Sequence, residues 1–362
     1  MIVYLSSICV SYFIICISKY KKKVYLGLFV SAFILASIAG MRSITVGSDT
    51  QIYSNIYQLA KNSGSFVSYR DIYSTVESGY LLLTWIITKM GFSWGGYLFL
   101  VNLITNFFVF KSIYILRDKI NLDVSVLLYM LVYWLYSLNI MRQSLSMSVI
   151  LFGIALFLNN QTKLALLIIL CGIFFHKSSI VFVGLMVVFL LILKFENNLV
   201  LTNVSLVFIT LYFLMFRYPI LELVKKIGFL GDKYGDYFLS YGVNSGISIV
   251  NFLYLLIPFL IFYMFSRKND VFENKKVYLL NVLLYIGIVM NLLTRTNYIF
   301  FFRTALFMLF LQVLYYPYVI KCEKEKNNRL FLTFFIVLYA IVSFFIMFAI
   351  SNYGELFPYT FE

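Results

Sequence analysis

Long apolar runs separated by short polar stretches dominate this chain. Most runs approach the roughly 17–25 apolar residues that a helix needs to cross a bilayer. They are continuous and do not alternate at every second residue, which predicts helices and not the strands of a barrel. The predicted spans lie near 2–18, 24–40, 96–116, 122–138, 143–158, 164–176, 179–194, 199–216, 249–265, 277–293, 298–320 and 330–350. The pattern therefore predicts an all-α, polytopic integral membrane bundle of about twelve transmembrane helices in one transmembrane domain over 1–362.

One apolar piece is too short for a crossing. Residues 80–90 hold about a dozen residues, which suits a half-membrane helix better than a span. A full crossing there would place several basic loops on the wrong side of the membrane. We therefore predict a re-entrant helix that enters from the external face and returns to it.

Composition and charge agree with a membrane protein and orient it. The chain is 62% hydrophobic and only 12% charged, against about 25% charged residues in a soluble domain. The basic stretch "SKYKKK" (18–23) and the basic loops 116–119, 159–163, 266–276 and 322–329 favour the cytoplasm. Both termini and the long loops 41–79 and 217–247 are then external. The first run lacks a basic segment before it and a cleavage site after it, which predicts a retained helix.

Cations on the external face are disfavoured by the same rule, so their presence calls for a reason. Among them are Arg42, Arg142, Lys177, Arg217, Lys225, Lys226, Arg295 and Arg303. Arg142, followed by Gln143, lies in a very short turn close to hydrocarbon, and Arg303 lies within an apolar helix. Such arginines either reach lipid phosphates or bind a ligand. Guanidinium groups match phosphate oxygens, so an anionic ligand on this face is the functional interpretation.

Three external side chains are candidates for a general base. His176 is the only histidine and titrates near neutrality, although a lone histidine also suits the membrane interface. Glu77 lies just before the short helix. It is either a catalytic base or a carboxylate that interacts favourably with the dipole at the start of that helix. Asp49 is the third candidate base. Alternatively, Asp49 or Thr50 caps the helix that begins there. The spacing of acidic and histidine residues indicates no metal site.

Four motifs in order resemble a known family. They are "MRSITVGSDTQIY" (41–53), "ESGYLLL" (77–83), "NIMRQSLSMSVILFGIALFL" (139–158) and "FFHKSSIV" (174–181). Together they are similar to the EpsG-like branch of Wzy-type polysaccharide polymerases, which join lipid-linked repeat units of O-antigen, capsule or exopolysaccharide in bacteria. The sequence departs from the family at "SLSMS", where the family more usually has alanine.

The resemblance implies a glycosyltransferase of GT-C-like architecture in the bacterial plasma membrane, acting at its outer face. The implied substrate is an undecaprenyl-diphosphate-linked oligosaccharide, bound by Arg42, Arg142, Gln143, Lys177, Arg295 and Arg303. His176, Glu77 and Asp49 are the candidate catalytic residues, in that order. No cofactor, metal or nucleic acid is expected. Membrane lipids and a protein that regulates chain length are expected partners. The length of the loop 217–247 indicates that it either faces the saccharide or forms a solvated interface.

Two other functions remain open from the sequence. A flippase or transporter of lipid-linked oligosaccharides would carry internal repeats and broken helices at mid-membrane, and we find no repeat. A membrane O-acyltransferase would also use a single histidine, but its acyl donor would approach from the cytoplasm.

Overall fold

The computed structural model describes residues 1–195, 215, 249–295 and 298–362, without the side chains of Lys194, Phe195, Arg295, Tyr298 and Ile299. The predicted span 199–216 and the predicted external loop 217–247 lie outside these residues, except for Met215. Across the described ranges the chain is helical and contains no strand beyond an isolated bridge between Arg42 and Phe361. The prediction of an all-α protein is confirmed.

Contacts between residues divide the chain into two compact units. The first comprises Met1–Lys177 and Tyr316–Glu362, and the second comprises Ser178–Tyr315. Helices in the first part of the chain are α1 (Ile2–Tyr20), α2 (Val24–Gly40), α3 (Thr50–Asn62), α4 (Phe66–Ile72), α5 (Ser78–Lys89), α6 (Trp94–Ile115), α7 (Leu122–Leu128), α8 (Tyr136–Asn139), α9 (Met141–Leu158) and α10 (Thr162–Cys171).

The later helices are α11 (Ser179–Phe195), α12 (Ile249–Lys268), α13 (Lys275–Leu292), α14 (Arg303–Leu309), α15 (Gln312–Cys322) and α16 (Lys326–Phe344). Three π-helical turns adjoin helices, at Tyr129–Tyr133, Tyr298–Phe302 and Phe345–Ile350. Short 3₁₀ turns follow α10 at Gly172–Phe174 and α13 at Leu293–Arg295.

Seven helices of the described residues are long and apolar enough to cross a membrane. They are Ile2–Tyr20, Trp94–Ile115, Met141–Leu158, Ile249–Lys268, Lys275–Leu292, Phe300–Cys322 and Lys326–Ile350. Four shorter apolar helices, Val24–Gly40, Leu122–Tyr133, Thr162–Phe174 and Ser179–Leu193, coincide with four further predicted spans. A polytopic helical membrane protein is thus supported, while the count of twelve spans and the GT-C-like architecture stay predictions.

The first unit is a bundle in which α1 packs on α2, α2 on α6, α6 on α9 and α9 on α10. The loop 41–79, which the sequence predicts to be external, is not an open coil, because α3 and α4 fold within it and pack against α5. Tyrosines dominate the core that these helices share with α6, among them Tyr53, Tyr57, Tyr80 and Tyr97. The loop therefore has a buried face that fixes α5 on the bundle.

A short helix at 80–90 is confirmed, since α5 spans Ser78–Lys89. Its predicted dip into the membrane stays a prediction. Asp49 is the N-cap residue of α3, but the capping prediction is wrong for its side chain, which makes no capping hydrogen bond. Its backbone is close to helical (φ −90°, ψ −6°), whereas a capping side chain needs an extended backbone. The alternative cap, Thr50, donates instead to the carbonyl oxygen of Val46 at 2.6 Å.

The segment after the last helix returns to the loop at 41–48. The backbone N–H groups of Ser43, Gly47 and Ser48 donate to the carbonyl oxygens of Thr360, Glu355 and Gly354. The side chain of Tyr4 in α1 also donates to the carbonyl of Leu356. Residues 354–360 thereby tie this loop to the bundle.

In the second unit, α12 packs on α13, α13 on α14, and α11 on both α13 and α14. A buried polar chain links three of its side chains. The hydroxyl of Tyr315 donates to Asn281 Oδ1 at 2.9 Å and lies 2.9 Å from the hydroxyl of Ser266. Buried polar groups that satisfy one another in this way fix the packing of apolar helices.

Candidate active site

The carboxylate of Glu77 contacts three residues of two other motifs at once. Its Oε2 accepts a hydrogen bond from Arg142 Nη1 at 2.5 Å. Its Oε1 accepts from the backbone N–H of Lys177 at 3.0 Å and lies 3.2 Å from His176 Nδ1. Three of the four motifs therefore meet at one carboxylate, although 65 and 100 positions separate Glu77 from Arg142 and Lys177 in the chain.

Two close contacts of the backbone bring these motifs together. A Cβ added at Gly79 would lie 2.6 Å from the carbonyl oxygen of Phe174, so only glycine lets α5 begin this close to the turn that carries His176. On the other side of that turn, the Ser146 hydroxyl of α9 donates to the Gly172 carbonyl oxygen at 2.7 Å. The turn is thus held between α5 and α9.

The site is shielded from solvent to different degrees. The side chains of Glu77 and His176 are each 6% exposed, and that of Arg142 is 17% exposed. Burying a carboxylate is costly unless it is paired and hydrogen-bonded, and here both of its oxygens have partners. The guanidinium is the most accessible charged group of the three.

The electrostatics keep Glu77 ionised. Burial by itself raises the pKa of Glu77, but the neighbouring imidazole of His176, the positive charge of Arg142 and the N–H of Lys177 outweigh burial and hold that pKa well below its usual range. A general base works best when its pKa is near the working pH. Glu77 is therefore suited to hold its partners in place rather than to accept a proton.

The same contact selects one nitrogen of His176 for chemistry. A carboxylate beside Nδ1 favours the tautomer with the proton on Nδ1, which leaves Nε2 as the basic nitrogen of the neutral ring. A histidine oriented by a carboxylate is a common form of general base. The arrangement can therefore provide a base in His176 and an anion-binding group in Arg142.

Arg42 lies at a different place in the same unit and is only 1% exposed. Its Nη1 donates to the carbonyl oxygen of Leu138, and its Nη2 lies 3.6 Å from the sulfur of Met141. Burial lowers the pKa of Arg42 to about 10, against the opposing effect of phenol groups such as those of Tyr4 and Tyr359. These contacts support the turn that leads into α9, and a contact between Arg42 and substrate stays a prediction.

The remaining candidates of the first unit lie around the same turn. Gln143 is buried, with Nε2 3.8 Å from the sulfur of Met147. The Lys177 side chain is exposed, so its ammonium is accessible beside the site. The backbone N–H of Asp49 donates to Asn139 Oδ1 at 2.9 Å, which anchors the loop at 41–49 to the start of the "NIMRQS" motif.

Two predicted residues belong to the second unit. Arg303 is half-buried at the start of α14, immediately after the π-helical turn Tyr298–Phe302. Arg295 ends the 3₁₀ turn after α13, and its side chain is not described. Their predicted contact with the same ligand stays a prediction.

Sequence reasoning missed the residues that support the site. Asn139 and Ser146 hold the loop and the turn, but each was read only as part of a motif. The glycine of "ESGY" was a usable signal, because a glycine at the start of a helix can mark a close backbone approach. Within the residues that the structure describes, His, Cys, Asp and Glu form no group of three that could hold a metal ion.

Comparison with known proteins gives one finding on the family. The family model described as the EpsG family matches residues 25–361, nearly the whole chain. The match includes all four motifs and both units. No curated protein and no solved structure matches the chain significantly.

Proposed function

Because the chain belongs to the EpsG family, whose members are Wzy-like polymerases, we propose that it is a glycosyltransferase that joins oligosaccharide repeat units carried on undecaprenyl diphosphate. The growing glycan moves from its lipid diphosphate to a hydroxyl of the next lipid-linked unit. We place this reaction at the outer face of the bacterial plasma membrane, where the predicted topology puts the loop at 41–79.

One observation supports this reaction most directly: Glu77 holds Arg142 and His176 on its two oxygens. Glycosyl transfer from a diphosphate requires a positive charge for the leaving group and a base for the acceptor hydroxyl. Arg142 supplies the first and His176 the second. Among the candidate residues of the first unit, this is the one place where a cation and a histidine contact the same carboxylate.

The proposed reaction moves one proton to the base and one electron pair to the leaving group. The acceptor hydroxyl gives its proton to His176 Nε2 while its oxygen forms a bond to the anomeric carbon. The bond from that carbon to the diphosphate breaks, and the diphosphate oxygen keeps the electron pair. Arg142 stabilises this oxygen, and we propose that Arg303 and the exposed Lys177 bind the same lipid diphosphate or its saccharide.

The other two functions are less well supported. A flippase needs no general base, so that function does not explain why His176 lies beside Glu77. An O-acyltransferase would use the histidine but has no need for the arginine beside it. The family match favours neither of them.

The test is an assay with purified protein in detergent or nanodiscs. Lipid-linked repeat units are added, and the products are separated on a glycan gel. We expect a ladder of chain lengths, which shortens to a single unit for Arg142→Ala and for His176→Ala. A wild-type protein that moves the units across liposome membranes without joining them would support a flippase instead.

A further inference from the structure

The two oxygens of Glu77 divide their partners by chemical role. Oε2 faces Arg142, the proposed anion-binding group, whereas Oε1 faces His176, the proposed base. Because both nitrogen atoms contact one carboxylate, the guanidinium and the imidazole lie within about one Debye length at physiological salt. The guanidinium charge therefore influences the protonation of the imidazole.

The charged groups around His176 come from separate elements. Glu77 comes from the start of α5, Arg142 from α9, and Lys177 follows His176 with its side chain exposed. Within the described residues, the phenols of Tyr80 in α5 and Tyr97 in α6 lie near Arg142 and are uncharged at neutral pH. Cys171 ends α10 just before the turn. Among the residues that the structure describes, Glu77 and Arg142 are thus the charged side chains in closest relation to the imidazole.

We propose that Glu77 is a positioning residue that couples the two halves of the reaction, so that an anion bound to Arg142 increases the affinity of His176 for a proton. This inference rests on the proposed function. With Arg142 unliganded, its positive charge offsets the carboxylate and opposes protonation of the ring. A diphosphate on Arg142 compensates that charge, and the negative charge of Glu77 then favours the imidazolium.

The consequence is an order of events. His176 becomes a stronger base when a lipid diphosphate occupies Arg142, which is when the acceptor hydroxyl must lose its proton. Without a bound leaving group the ring is a weaker base. The site therefore activates an acceptor hydroxyl only when a donor glycan is bound through its lipid diphosphate.

His176 allows a direct measurement, because it is the only histidine in the chain. Protein labelled with ¹⁵N-histidine in nanodiscs gives the signal of one ring, and its chemical shift is followed against pH. Inorganic pyrophosphate serves as the probe, with chloride at equal ionic strength as the reference. We expect pyrophosphate to raise the midpoint of the titration by about one pH unit.

Variants separate this coupling from a general effect of added anions. Arg142→Gln should raise the midpoint without pyrophosphate and remove the response to it, whereas Glu77→Gln should lower the midpoint. Arg70→Gln is the matched control, because Arg70 is an exposed arginine of α4 paired with Asp71 at 3.1 Å. It should titrate like the wild type. If Arg142→Gln does not fold, Arg142→Lys serves, with a weaker response to pyrophosphate.

Three results would overturn the proposal: a wild-type midpoint that pyrophosphate does not change, a response that persists in Arg142→Gln, or a midpoint unaffected by Glu77→Gln. The titration needs no turnover, so it is independent of the assay for chain joining. If the protein shows the response to pyrophosphate but joins no units, the proposed polymerase function is wrong and the coupling stands. If it joins units but shows no response, the coupling is wrong and the polymerase function stands.

Discussion

The backbone of Gly79 lies against the backbone of Phe174, close enough that an added Cβ would be 2.6 Å from the Phe174 carbonyl oxygen. Gly79 lies two residues after Glu77, and Phe174 lies two residues before His176. This one contact therefore sets the distance between the carboxylate and the imidazole.

Gly79→Ala should separate these two groups. The methyl group forces α5 away from the turn, and a displacement of about 1 Å at a reacting group costs about a hundredfold in rate. The rate of chain joining by purified protein measures the effect. Gly184→Ala is the matched control, because Gly184 is also helical and an added Cβ meets nothing within 4 Å. Equal rates for the two variants would contradict this role of Gly79.

Acid should weaken the protein through Glu77. Its folded pKa lies below the ordinary carboxyl value of 4.5, so its stabilisation is complete at neutral pH and is lost as the pH falls below that value. Glu77→Gln should therefore lower the free energy of unfolding by about 3 kcal/mol at neutral pH, because the half-buried Arg142 loses its carboxylate partner.

The measurement is thermal unfolding in detergent at neutral pH and at about pH 3. The difference between the wild type and Glu77→Gln should shrink in acid. Asp71→Asn removes an exposed carboxylate of α4 and is the control, with little change at either pH. A difference for Glu77→Gln that is the same at both pH values would count against the ion pair.

Arg142→Lys tests whether the shape of the cation matters. Lysine keeps the charge but loses the planar fork that contacts a carboxylate and a phosphate together. We expect KM for the lipid-linked donor to rise about tenfold or more, with protein still present in the membrane fraction. Lys89→Arg, at the end of α5, alters a cation outside the proposed site and serves as the control. An unchanged KM for Arg142→Lys would show that only net charge is needed.

Arg303→Ala tests whether the second unit contributes to the same reaction. If Arg303 binds the diphosphate, its loss should reduce long glycan by at least about a hundredfold, because one charge-stabilising group is removed from the transition state. The chain-length ladder of cells that carry the variant is the measurement, with a blot for the protein as control. Wild-type chain lengths would remove Arg303 from the site.

The sequence was sufficient for most helices but not for their internal hydrogen bonding. Hydropathy located the span at 122–138, yet the structure has α7, a π-helical turn and α8 there. An apolar run has the same composition whether each N–H bonds four or five residues back, so hydropathy cannot distinguish these geometries. The same reason applies to the π-helical turn just before Arg303.

The sequence could identify the chemical groups of the candidate site but not their roles. Glu77, Arg142 and His176 were each selected from a motif. That Glu77 holds the other two depends on contacts between distant segments, such as Gly79 with Phe174 and Ser146 with Gly172. Asp49 shows the opposite case, because a residue type suited to capping occupies the right position but has the wrong backbone angles.

The pairing of residues 43–48 with residues 354–360 also has a consequence for biogenesis. The chain is synthesised from its N-terminus, so residues 43–48 are made about 300 residues before residues 354–360. The loop obtains these hydrogen bonds only after the last helix has been inserted. A nascent chain interrupted before that point lacks the finished loop, which delays activity until membrane integration is complete.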